Sequence, residues 1–220
     1  MLFYFKVSSR FVPYGHSKGD TVMLAAKYYI SFRLDFDIVY PDGFRTPRVT
    51  VINDGCFASD ETSTPYHFCA YTDRDYERYT RGVIFYRSTS NASVLALVDE
   101  QIKAAGYRSR RAFIVTWENC ALRNSPLASS TFQIVYASDL SSAGRAFVVF
   151  NYRKLAPSNR SFSGFSYNRT VMLRPFNAST LESNVAEPGR FVFPIFYGKS
   201  IYMQLFMIHS MAFKLGLGQH

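Results

Sequence analysis

Between Phe113 and Tyr152 the chain reads FIVTWENC, STFQIVYASD and RAFVVFNY, three apolar runs separated by short polar gaps. Each run is dense in Phe, Val, Ile and Tyr and is bounded by Ser, Asn, Gly or Pro. Branched and aromatic side chains suit a pleated surface, and turn formers at both ends keep the runs short. Three such runs in succession predict consecutive antiparallel strands. The only tryptophan, Trp117, lies in the first of them.

The rest of the chain fits around this meander. Tyr28 to Tyr40 alternates apolar and polar residues, with Asp35 and Asp37 between Phe36 and its neighbours, and reads as a strand with one wet face. Pro41-Asp42-Gly43 marks a turn, Arg48 to Ile52 a second strand, and Asn53-Asp54-Gly55 a tight hairpin turn. Gly82 to Arg87 is a further short strand. From Ser90 the period changes, because Val94, Val98, Ile102 and Ala105 recur every three or four residues. That spacing predicts a helix with Ser90 as cap and Gly106 at its end. Residues 153 to 183 read as polar and irregular, and Arg190 to Ile195 as a late strand stopped by Pro194. The expectation is one mainly β (α+β) domain, antiparallel sheets with one or two packed helices.

Composition supports that reading: 48% of residues are apolar, including 21 Phe and 16 Tyr, enough for a large core in 220 residues. The net charge of +9 invites a nucleic-acid or anionic-surface binder. The charges are scattered, however, and the densest run is only Arg108, Arg110 and Arg111. A solvated face, or one meeting acidic glycans, accounts for it better than nucleic acid. Four acceptor patterns for N-linked glycans occur, at Asn91, Asn159, Asn168 and Asn177. Three of them fall between 159 and 179, which suggests an exposed loop region of a secreted chain. The start, MLFYFKVSSR, lacks the apolar core of a signal peptide, so the expectation is either a longer parent chain or a chain that is not secreted. Residues 201–217 are apolar but broken by polar positions, unlike a membrane-spanning helix. Of the three cysteines, Cys56 and Cys69 could bridge a short loop and leave Cys120 over; three buried free thiols are the alternative.

The order of segments resembles the extracellular nidogen-like domain found in nidogens, tectorin-type proteins and certain mucins. PYGHSKGD (Pro13 to Asp20), VINDGCF (Val51 to Phe57), AYTDRD (Ala70 to Asp75) and GVIFYRST (Gly82 to Thr89) are similar to its early signatures. The meander is similar to its Thr-Trp-x-Asn, Phe-Gln and Asn-Tyr signatures, carried here by Trp117, Asn119, Phe132, Gln133, Asn151 and Tyr152. Gly164-Phe165, Ser183-Asn184 and Gly189-Arg190-Phe191 are similar to its closing elements. The resemblance spans residues 11 to 195 and leaves 196–220 as an apolar tail. Cys69, Ala70 and Tyr71 stand where the family carries Pro, an aromatic and Trp, and a later Trp is missing. The resemblance implies an extracellular role in cell–matrix adhesion or assembly, with matrix or cell-surface proteins as partners and no catalysis or cofactor. A non-autonomous piece of a larger mosaic protein is the alternative.

Candidate sites are few. Asp73 and Asp75 could join a calcium site, but Arg74 and Arg78 interleave them and favour ion pairing. Tyr71, Tyr76 and Tyr79 with Arg74, Arg78 and Arg81 have the composition of a protein interface, but an irregular loop with solvated charges is the favoured reading. Trp117 is expected in the core, and Asn119 and Gln133 are expected to satisfy backbone groups at strand ends. The four histidines lack metal spacing, no G-x-S-x-G elbow is present, and no glycine-rich phosphate loop follows a strand. An enzyme is therefore not expected.

Overall fold

The computed structural model describes residues 5–6, 10–40, 43–59, 66–73, 79–122, 128–141, 144–156, 161–167, 170–171 and 183–195. In chain order the strands are β1 (Phe5–Lys6), β2 (Thr21–Leu24), β3 (Tyr29–Val39), β4 (Arg45–Ile52), β5 (Cys56–Ser59), β6 (Tyr66–Asp73) and β7 (Tyr79–Thr89). After the helix α1 (Ala92–Ile102) come β8 (Arg111–Leu122), β9 (Ser130–Ser138), β10 (Ala146–Leu155), β11 (Ser161–Tyr167), β12 (Thr170–Val171) and β13 (Arg190–Ile195). They form two antiparallel sheets. One has the order β1-β10-β9-β8-β7-β2, with β13 also on β10; the other has the order β12-β11-β6-β5-β4-β3.

The meander forms the centre of the first sheet, and its two faces differ. Phe113, Val115, Trp117, Phe132, Ile134, Tyr136, Val148 and Phe150 face the second sheet in the main core. The alternate residues, among them Ile114, Val135, Ala137 and Val149, pack under α1 through Leu95, Val98 and Ile102. The layers are thus helix, sheet, sheet. β9 lies between both neighbouring layers and is buried at every position, which explains why STFQIVYASD lacks the polar alternation of a half-wet strand.

Four expectations need correction. Asn91, not Ser90, caps α1: its side chain accepts hydrogen bonds from the backbone N–H groups of Ser93 and Val94. The helix stops at Ile102, before Gly106, because Lys103 takes the left-handed conformation and donates to the Asp99 carbonyl. Pro194 does not stop β13, which runs one residue further, to Ile195; among the described strands β13 pairs only with β10, an edge position where proline is tolerated. The stretch 153–183 is not wholly irregular, since β10 continues to Leu155 and β11 and β12 follow. The register of β11 slips between Phe162 and Gly164, which breaks the period-two pattern that would have marked it.

Candidate functional surface

The residues that carry the family resemblance serve the framework. Thr116, Gln133, Asn151 and Arg190 are successive register partners across β8, β9, β10 and β13 and form one polar row on the helix side of the first sheet. A buried polar row must be hydrogen-bonded throughout to be tolerated. Gln133 accepts from the Val12 N–H (2.9 Å) and donates to the Val12 carbonyl (2.9 Å) and Thr116 Oγ1 (2.8 Å). Asn151 donates to Gln101 of α1 (3.0 Å) and accepts from Arg190 Nε (2.7 Å). Gln101 and Arg190 both donate to the Arg10 carbonyl. The row therefore fastens the segment at residues 10–12 and the helix to the sheet. Gln133 does satisfy backbone groups, but from the middle of β9 rather than from a strand end.

On the other face, aromatic polar atoms join the sheets. Trp117 Nε1 donates to the Ile52 carbonyl (3.1 Å), the Val39 N–H donates to Tyr136 Oη (2.8 Å), and Tyr152 Oη donates to the Ala70 carbonyl (2.6 Å). Trp117 lies parallel to Phe132 with centroids 5.2 Å apart. Burial pushes the Tyr136 and Tyr152 phenols well above their ordinary value, so both hydroxyls stay neutral, Tyr136 accepting and Tyr152 donating. Asn119 sits exposed at an irregularity of β8 with φ of 50°, a conformation that asparagine tolerates, and its N–H donates to Thr131 Oγ1 (3.1 Å).

The early signatures also meet. Asp20 of PYGHSKGD and Arg87 of GVIFYRST form a buried ion pair, completed by Arg87 to the Pro13 carbonyl (2.7 Å) and by the Gly15 N–H to Asp20 (2.5 Å). Within VINDGCF, Asn53 Nδ2 donates to the carbonyls of Ala25 (2.7 Å) and Tyr79 (3.0 Å). Gly55 has φ of 96°, and a Cβ there would run into the Tyr71 carbonyl. Cys56 and Cys69, opposite each other on β5 and β6, are joined in a disulfide, and Cys120 is a buried free thiol. Burial raises the Cys120 thiol far above its ordinary value, which makes it unreactive.

The tyrosine–arginine composition around residue 76 does not form one surface. Tyr71 and Tyr79 are buried; Tyr79 Oη donates to the Tyr71 carbonyl (2.8 Å) and Tyr71 Oη to the Ala156 carbonyl (2.5 Å). Arg81 is exposed, and Arg74, Tyr76 and Arg78 lie outside the described residues. Asp75 lies outside them as well, and of Asp73 only the backbone, at the end of β6, is described. Asn159, Asn168 and Asn177 and the tail 196–220 are likewise outside. Among the described residues no group of three or more His, Cys, Asp or Glu could hold a metal ion, and no helix is long and apolar enough to cross a membrane.

Among the described residues, an open cleft of about 990 Å³ lies between α1 and the loop that leads into β8, lined by Ser90, Leu95, Asp99, Lys103, Arg110 and Leu140 among others. Residues 107–110 alternate. Tyr107 and Ser109 point inward, Arg108 and Arg110 outward. The inward pair is firmly held: Tyr107 meets Phe147 edge-on at 4.7 Å, and Ser109 donates to Asp99 from its N–H (2.9 Å) and its hydroxyl (2.7 Å). The Arg110 N–H donates to the Ser138 carbonyl (2.8 Å). Arg145 braces the loop from below, donating to Asp139 (2.6 Å) and to the Gly106 carbonyl (3.1 Å). Partial burial opposes the charge of Asp139, but Ser141 and Arg145 outweigh it and hold its carboxyl below the ordinary range. Two arginines thus stand outward on a fixed loop, about 7 Å apart along an extended backbone. The charge run noticed in the sequence gives the loop, but its rigidity comes from partners distant in the chain.

The disulfide-bearing two-sheet framework turns most of its polar signature residues inward and leaves Asn119 exposed. The nidogen-like domain family model matches residues 57–196, and the chain belongs to that family, an extracellular-matrix-type module. No curated protein and no solved structure matches the chain.

Proposed function

We propose that this chain is an adhesion or assembly module of the extracellular space that recognises matrix or cell-surface proteins through loops on a rigid β framework. The module would span 11–195, because β2, β3 and β4 complete the two sheets ahead of the matched segment; 196–220 would be a separate tail. The chain would be secreted or part of an ectodomain and have no catalytic role. Glycans at Asn159, Asn168 and Asn177 would cover their own surroundings, and a glycan at Asn91 would stand at the rim of the cleft beside Ser90 and Ala92.

The observation that carries this reading is the contrast between inward signature residues and outward arginines. The signature groups Gln133, Asn151 and Arg190 are engaged in internal hydrogen bonds, whereas Arg108 and Arg110 are exposed on a braced loop beside a cleft. Arginine held in place loses little freedom on binding and suits carboxylate or sulfate groups of an acidic protein segment or glycan. The test is surface-plasmon binding of the secreted protein to immobilised matrix proteins and sulfated glycans, comparing wild type with the double variant Arg108→Ala/Arg110→Ala. A loss of tenfold or more, with unchanged thermal melting, is expected. Undiminished binding would move recognition off this loop. Equal affinity for duplex DNA, falling steeply with salt, would favour a general anionic-surface binder instead.

A further inference from the structure

Leu140, in the turn between β9 and β10, breaks two habits of its residue type at once. Its φ of 54° lies in the left-handed region, where a bulky side chain is strained. Among the described non-glycine residues only Lys103, Asn119 and Ala186 share a positive φ, and none of them is a large apolar residue. Leu140 is also 47% exposed. Asparagine or glycine takes that conformation readily, and a polar side chain suits solvent better, so the fold does not account for a leucine here. The backbone on both sides of it is fixed. The Leu140 N–H donates to Ser138 Oγ (3.1 Å), the Ser141 N–H to the Asp139 carboxylate (2.9 Å), and the Asp139 N–H to the Arg145 carbonyl (3.2 Å). An outlier held this firmly at the wall of a cleft points to a use outside the fold.

Leu140 lines the same cleft as Arg108 and Arg110. The register sets Arg111 opposite Ser138, and the Arg110 N–H donates to the Ser138 carbonyl, so the turn that carries Leu140 starts beside the arginine loop. On its side of the cleft α1 contributes Leu95 and Ala96. Asp99 on that side is engaged by Ser109, and Glu100 is exposed. Cations thus stand on the loop rim, apolar surface lines the cleft, and a carboxylate stands on the helix rim. We propose that the cleft takes an extended acidic protein segment with a large apolar side chain between two carboxylates, and that Leu140 selects for that side chain. Two guanidinium groups about 7 Å apart match carboxylates two residues apart in an extended segment. Side chains alternate along such a segment, so the residue between the acids points away from the arginines and toward the apolar lining. Glu100 disfavours the reverse orientation, which would bring the acids to the helix. A sulfated glycan satisfies the arginines but has no apolar side chain for Leu140. The inference rests on the loop reading above and narrows it to one class of partner.

Fluorescence anisotropy of the secreted protein tests this with three labelled probes: the peptide Gly-Asp-Phe-Asp-Gly, its equally charged counterpart Gly-Asp-Ala-Asp-Gly, and a sulfated hexasaccharide. The Phe peptide is expected to bind about tenfold more tightly than the Ala peptide. Leu140→Asn keeps a residue that tolerates the left-handed backbone, so its melting temperature should equal or exceed that of wild type. It should abolish the preference for the Phe peptide and leave hexasaccharide binding unchanged. Arg108→Ala/Arg110→Ala should weaken all three probes. Equal affinity for the two peptides, or a preference that persists in Leu140→Asn, would overturn the inference and leave the loop reading standing. A lower melting temperature in Leu140→Asn would make the leucine a support of the turn and overturn it too. Peptide and hexasaccharide binding that both ignore the arginine variant would remove the loop reading and the inference together.

Discussion

Single residues decide this fold where the backbone comes closest. Gly55 closes the β4–β5 turn with a positive φ and lies against the Tyr71 carbonyl. Any side chain there meets strain and a clash together, so Gly55→Ala is expected to cost at least about 2 kcal/mol, read as a lower urea midpoint. A midpoint within error of wild type would mean that this turn can shift without loss. Asp139 offers a test by pH. Its carboxyl is held below the ordinary value in the folded state, so its contribution is present above about pH 4 and is lost as the pH falls through the folded value. Asp139→Asn should therefore be less stable than wild type at pH 7, by about 1 kcal/mol, and the gap should close toward pH 3. A gap independent of pH would show that the carboxylate charge is not what matters.

At the scale of elements, the sequence announced the meander, the alternating β3 and the helix, because each keeps its period over several residues. It did not announce β11, whose register slips, or the double burial of β9, which depends on the distant α1. The helix cap was misplaced by one residue because Ser90 and Asn91 are both good caps and only the geometry separates them. Asn91 is also an expected glycan acceptor, which allows two roles to be separated. Asn91→Asp retains an oxygen for the Ser93 and Val94 N–H groups, so it should keep the melting temperature of the unglycosylated protein while losing the glycan. Asn91→Ala should lose both, with about 1 kcal/mol of stability. Equal melting of the two variants would show that the cap contributes nothing. The candidate surface was legible only in part: the run Arg108, Arg110 and Arg111 was visible, but the brace from Arg145, Asp139 and Phe147 was not. The Tyr71 and Tyr79 rings looked like interface residues because composition cannot tell an exposed aromatic from a buried one.

Across the whole molecule, helix, sheet and sheet form a framework whose polar row of Thr116, Gln133, Asn151 and Arg190 is hydrogen-bonded internally. The Trp, Gln, Asn and Tyr signatures stitch the layers together, and the remaining surface is free for loops and glycans. That arrangement suits a module that presents a constant frame and varies its exterior. The most direct test is a peptide-map mass spectrum, without reduction, of the chain expressed with a secretion signal in a eukaryotic cell. The account predicts protein in the medium, a linked Cys56–Cys69 peptide pair, an unmodified Cys120 and glycan mass on Asn91, Asn159, Asn168 or Asn177. Retained protein with three reduced thiols and unmodified asparagines would contradict an extracellular module.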